Sequence, residues 1–145
     1  MSQALPPPAR QSALSLLGQA RRALDEAATL EQPAERYAAT HLAALRAAAA
    51  VLAARARPAA STSRRPSRPT SAWALLCRVA PELSEWAAFF AAGAAKRAAA
   101  EAGLPRAVTA RDADDLLRDA ETFLAVVETL LGLLVQPILT SLSGR

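Results

Sequence analysis

The segment Glu35-Arg36-Tyr37-Ala38-Ala39-Thr40-His41 contains the chain's only histidine, with an arginine five positions before it. On a helix, residues at that spacing point about 140° apart and lie about 7.5 Å apart along the axis, a gap a long arginine side chain can close by curling. Such a pair suits metal-independent RNA cleavage. The imidazole moves a proton near neutral pH, to or from the ribose 2′-hydroxyl. The guanidinium grips the scissile phosphate and offsets its growing charge. Arg36 and His41 are therefore the candidate catalytic residues. In the competing reading, Arg36 is a surface residue and His41 packs at a helix edge. Where the side chains point separates the two. Convergence on a shared groove or two-fold interface favours cleavage, and a His41 sealed in the core favours a non-enzymatic module.

Other chemistries find less support. There is no cysteine pair, and a single histidine is a poor start for a metal site. Asp112, Asp115 and Asp119 line one side of a predicted helix, and carboxylates can hold Mg²⁺. Arg111 and Arg118 are interleaved with them, which favours a solvated ion-pair face, so no metal or other cofactor is expected. No glycine-rich phosphate loop is present. Cys77, between Leu76 and Arg78 and close to Val79, reads as a small buried hydrophobe rather than a nucleophile.

Charge is unevenly placed. From Arg36 to Pro81 there are eight arginines and no acidic residue, whereas the remainder holds nine basic and thirteen acidic residues. A basic stretch of this kind can meet a polyanion such as RNA, with Arg46, Arg64, Arg65 and Arg68 supplying general electrostatic affinity. The alternative is a solvated, arginine-rich linker. An excess of alanine, arginine and proline also follows from a GC-rich genome, so placement carries the signal rather than number.

The elements that must position these residues are helices. Alanine, the best helix former, is roughly a quarter of the chain; isoleucine occurs only at Ile138, and no segment alternates as a half-buried strand does. The expectation is an all-α bundle of four main helices within one domain, residues 12–135. Residues 1–11, rich in proline, are expected to be disordered, and 136–145 form a tail. The first helix is expected from Ser12 to about Leu30, with Leu14, Leu17, Leu24 and Ala27 or Ala28 inward. The second starts near Pro33 and ends near Arg57, with Leu42, Leu45 and Leu52 inward, and a short link makes the pair an antiparallel hairpin. Residues 58–70 read as a mobile Arg/Pro/Ser linker.

The third helix, from Ser71, should kink or break near Pro81 and continue to Ala102, with Gly103 as its stop. Ala87, Ala91, Ala94 and Ala98 form a small-residue stripe that would admit a close neighbour, and Trp86, Phe89 and Phe90 fill the core. In the fourth helix, Thr109 and Asp112 make a capping box. Ala113, Leu116, Leu117, Ala120, Phe123, Leu124, Val127, Leu130, Leu131 and Leu134 then follow a three-four spacing up to Pro137. The apolar run from Phe123 to Leu139 is interrupted by Glu128 and ended by Pro137, short of the ~20 clean residues of a membrane span. With one cysteine and no signal-like start, the chain reads as cytoplasmic, with no membrane association.

The stretches PAERYAATHLAALRAAAAVLAARARP and SAWALLCRVAPELSEWAAFFAAGAAKRAAAEAGLPRAVTARDADDLLRDAETFL resemble the small actinobacterial HEPN-domain family. The PELSEWAAFFAAGAAKRAAAEAG and DADDLLRD blocks are the specific parts, and the resemblance runs from about Gln11 to Gly132. It implies a helical bundle that commonly homodimerises. It also implies a metal-independent endoribonuclease with an R-x₄₋₆-H motif, matched by Arg36 and His41, or an RNA-binding module. Toxin–antitoxin settings are among those implied, with an antitoxin-like protein partner. The alternative class is a helical module whose partner is a protein.

Overall fold

The computed structural model describes residues 7–55, 71–104 and 106–135, and among them every regular element is a helix. The order is α1 (Pro7–Ala27), α2 (Pro33–Arg55), α3 (Ala72–Val79), a 3₁₀ turn (Pro81–Leu83), α4 (Ser84–Ala92), α5 (Ala94–Glu101) and α6 (Ala110–Val135). The expected linker at 58–70 and tail at 136–145 lie outside the described residues.

α1 begins at Pro7 rather than at Ser12, because proline fits the first turn, where an N–H would have no partner. It also ends earlier than expected, at Ala27. A turn then closes with Leu30 N–H donating to the Ala27 carbonyl at 3.1 Å. Pro33 opens α2, and α1 and α2 pack as the expected hairpin.

α2 is the central element, packed against α1, α3, α5 and α6. Its buried face is not the leucine row. Leu42 is exposed, and Leu45 and Leu52 are only partly buried. The inward positions are Tyr37, Thr40, His41, Ala44, Ala47, Ala48, Val51 and Ala54, with Ala43 and Ala50 beside them. A helix surrounded by neighbours needs small side chains on several sides, because close backbone approach leaves no volume for leucine. By length and composition α2 could cross a bilayer, but more than half of its most apolar stretch (56%) is buried inside the bundle.

The expected third helix is broken twice. Ser71 caps α3, its hydroxyl accepting from Ala74 N–H at 3.1 Å. Pro81, lacking an N–H, interrupts as expected and opens the 3₁₀ turn. The second break, at Gly93, divides α4 from α5. α5 then ends in the left-handed Gly103, at φ 77°. Leu104 N–H reaches the Ala99 carbonyl at 3.2 Å and Gly103 N–H the Ala100 carbonyl at 3.0 Å, a Schellman ending. Of the small-residue stripe only Ala87 is buried; Ala91, Ala94 and Ala98 are exposed, and among the described residues no helix packs on them.

Up to Leu131, α6 follows its expected stripe; the side chain of Leu134 lies outside the described residues. Thr109 N–H donates to Asp112 Oδ2 at 3.0 Å and Asp112 N–H to Thr109 Oγ1 at 2.9 Å, the reciprocal capping box. Ala113, Leu116, Ala120, Phe123, Leu124, Val127 and Leu131 are buried, with Leu117 and Leu130 partly so. Phe123 meets Phe90 at 5.2 Å between ring centroids, and Phe90 stacks on Trp73 at 5.0 Å. Phe90 is fully buried, Trp86 partly, and Phe89, expected in the core, is exposed. On the first helix, Leu14 is likewise exposed rather than inward, as is Ala28, while Leu24 and Ala27 are buried.

Candidate functional site

Arg36 lies in the first turn of α2, against the end of the α1–α2 turn. Its Nη1 donates to the backbone carbonyls of Leu30 at 2.8 Å and Glu31 at 3.2 Å. Its Nη2 pairs with Asp114 on α6 at 3.1 Å, and only 12% of the side chain is exposed. Both terminal nitrogens are thus engaged in fastening the hairpin turn to α6.

His41 lies about 1.4 turns further along α2, facing elsewhere. It is 1% exposed. Its Nε2 is 3.0 Å from the Phe90 carbonyl oxygen. A carbonyl only accepts, so Nε2 carries the hydrogen and donates. The same carbonyl takes the Gly93 N–H at 3.1 Å, so His41 helps satisfy the backbone where α4 gives way to α5. The ring stands edge-on to Trp73 and Phe90, with centroids 5.9 and 5.8 Å away. Burial pushes the imidazole pKa down, more strongly than the Phe90 carbonyl raises it, so the ring is neutral near pH 7. Among the described residues the remaining nitrogen, Nδ1, is buried without a partner, as is Thr40 Oγ1 beside it in sequence.

Arg36 and His41 therefore do not share a groove. The first points to the α1–α2 turn and α6, and the second into the aromatic cluster formed by α3, α4 and α6. The curl of the arginine towards the imidazole does not occur, because backbone carbonyls and Asp114 hold its guanidinium.

The basic stretch is partly spent on structure. Arg55 donates to the Val79 carbonyl at 3.1 Å and clamps Glu82 through two bonds of 3.2 and 2.6 Å, tying the end of α2 to the α3–α4 joint. These bonds hold the Glu82 carboxyl below its ordinary range. Arg46 is half-buried on α2. Arg64, Arg65 and Arg68 lie outside the described residues. Asp112 serves the capping box and pairs with Lys96 at 3.3 Å, while Asp115 pairs with Arg118 at 3.2 Å. Cys77 is half-buried against the core.

Two features carry little signal in the sequence. One is a cavity beside His41, entered between α2, α4, α5 and α6 and walled by Tyr37, Phe89, Phe90 and Gly93. The isolated glycine in an alanine-rich run is its only mark in the sequence. The other is the outward face of α6, where Thr122, Ala125, Val126, Thr129 and Leu130 line an open apolar depression. Their three-four spacing is present, but the stronger stripe on the other side of the helix masks it.

The family model described as SAV_6107-like HEPN matches residues 27–128, which include α2 through most of α6. No curated protein and no solved structure matches the chain.

Proposed function

The chain belongs to the SAV_6107-like HEPN family, and from that premise we propose that it is a non-catalytic helical interaction module of the cytoplasm whose partner is a protein. The burial of His41 carries this reading. A general acid or base must reach the proton it moves, directly or through one water. His41 is 1% exposed, and its Nε2–H is committed to the Phe90 carbonyl. Arg36 is committed as well, so a phosphate approaching it would have to displace Asp114 and two backbone carbonyls.

The outward face of α6 supports the second half of the proposal. Residues at i, i+3, i+4, i+7 and i+8 make the stripe that helices use against one another. The partner would lie along Val126 and Leu130.

The test is cleavage of mixed RNA with EDTA present, wild type beside His41→Gln. Glutamine can keep an amide donor towards the Phe90 carbonyl while removing the titrating ring. The expected result is no cleavage by either protein beyond the buffer control. Cleavage by wild type that His41→Gln abolishes, with the fold intact by circular dichroism, would replace this reading with the endoribonuclease one.

A further inference from the structure

The break at Gly93 leaves a cavity of about 260 Å³ under the α4–α5 junction. Its shape depends on a missing side chain. A Cβ on residue 93 would stand 3.1 Å from the Tyr37 hydroxyl and 4.0 Å from His41 Cδ2, filling the space between them. Phe89, half-exposed and edge to face with the buried Phe90 at 5.0 Å between centroids, supplies an aromatic wall.

The size and lining restrict what can enter. Pockets for drug-sized ligands run from about 300 to 1,000 Å³. This one is smaller and suits one ring with one small substituent. Among the described residues, Lys96 is the only charged one in the lining. Its pairing with Asp112, at 3.3 Å, is half-exposed and therefore weak, and an ammonium group has three hydrogens to donate. Arg97, outside the lining, is paired with Glu101 at 2.8 Å, so the two act on His41 in opposite senses and Lys96 carries the positive charge of the site. Burial keeps the Tyr37 hydroxyl protonated well above neutral pH, so it remains a donor. An apolar wall with cationic and neutral donors selects an anion that carries a flat apolar body.

We propose that this cavity binds a small aromatic carboxylate, its ring against Phe89 and its carboxylate towards Lys96. The site shares no residue with the protein-partner surface: it takes Leu116 from α6, whereas that surface is built from Thr122 to Leu130 further along the helix.

The experiment titrates the full chain with benzoate, benzylamine and cyclohexanecarboxylate. The Gly93 amide is followed by NMR and affinity by calorimetry. Benzoate is expected to shift the Gly93 amide saturably, benzylamine to leave it in place, and cyclohexanecarboxylate to bind at least threefold more weakly than benzoate. Lys96→Gln, a substitution at an exposed position, should weaken benzoate at least tenfold. Failure of benzoate to bind would overturn the proposal. So would equal binding of benzylamine, equal or tighter binding of cyclohexanecarboxylate, or unchanged affinity in Lys96→Gln.

Discussion

His41 on α2 donates through Nε2 to the carbonyl of Phe90 on α4 across 3.0 Å, and this bond ties the centre of the bundle to the place where α4 stops. The imidazole is thereby a structural donor inside an aromatic cluster. Its depressed pKa gives a signed expectation. An unfolded imidazole titrates near 6.5, whereas burial holds the folded one lower. Below about pH 6.5 the unfolded chain gains a proton that the folded chain resists. The contribution is thus fully present above the unfolded pKa and is lost as pH falls through the window beneath it. Urea unfolding at pH 7.5 and 5.5 should show wild type losing more stability than His41→Gln. Equal losses would mean that the ring protonates freely in the fold.

Arg36 is expected to act on stability. Arg36→Ala strips donors from the Leu30 and Glu31 carbonyls at the hairpin turn. It should cost about 1–3 kcal/mol, the range for polar groups left without partners. Arg36→Lys should recover part of that loss, since an ammonium still donates but cannot fork. Chemical denaturation measures both. An alanine variant as stable as wild type would free Arg36 for another role.

Leu124→Ala should cost about 2–5 kcal/mol, the range for a buried leucine truncated to leave a cavity, because Leu124 is 2% exposed. Leu117, half-buried on the same helix, should lose clearly less. Thermal melts of the two variants side by side give the comparison, and a larger shift at Leu117 would reverse the assigned face of α6.

Gly103→Ala isolates a backbone effect. Nothing lies within 4 Å of the Cβ it would gain, yet φ is 77°. The cost should be roughly 1–2 kcal/mol from the left-handed conformation alone. Gly103→Asn should cost less, since asparagine tolerates that region better. Indistinguishable melting of all three would show that the α5 ending relaxes to another conformation.

What the sequence reveals, and what it hides, follows from contrast. In α6, leucine and phenylalanine alternate with charges, so the stripe and the Thr109–Asp112 box are legible from residue order alone. Pro81 and Gly103 act locally through a missing N–H and a permitted φ, and both breaks fall where expected. α2 offers no such contrast. Alanine sits on every side of it, so three leucines suggest a face, and close packing selects the alanines instead. The break at Gly93 is hidden because good helix formers flank it. The separation of Arg36 from His41 is beyond sequence reach, since Asp114 and the Phe90 carbonyl come from 78 and 49 residues away.

The outward face of α6 carries the last expectation, which concerns association. Val126 is 36% exposed, with Leu130 partly buried beside it and the depression between them open. A second copy of the same helix, running antiparallel, can lie on such a stripe, because a two-fold axis presents each residue to the mates of its neighbours. The homodimer implied by the family resemblance would then form through α6, with no need for His41 at the interface. Light scattering over a dilution series should show a dimer for wild type and a monomer for Val126→Asp, which buries a carboxylate in the contact. Leu14→Asp, at an exposed leucine on α1 (43%), serves as the control and should remain dimeric. A wild-type monomer at every concentration would assign the α6 face to a different protein. A dimer that survives Val126→Asp would place the two-fold contact on another helix.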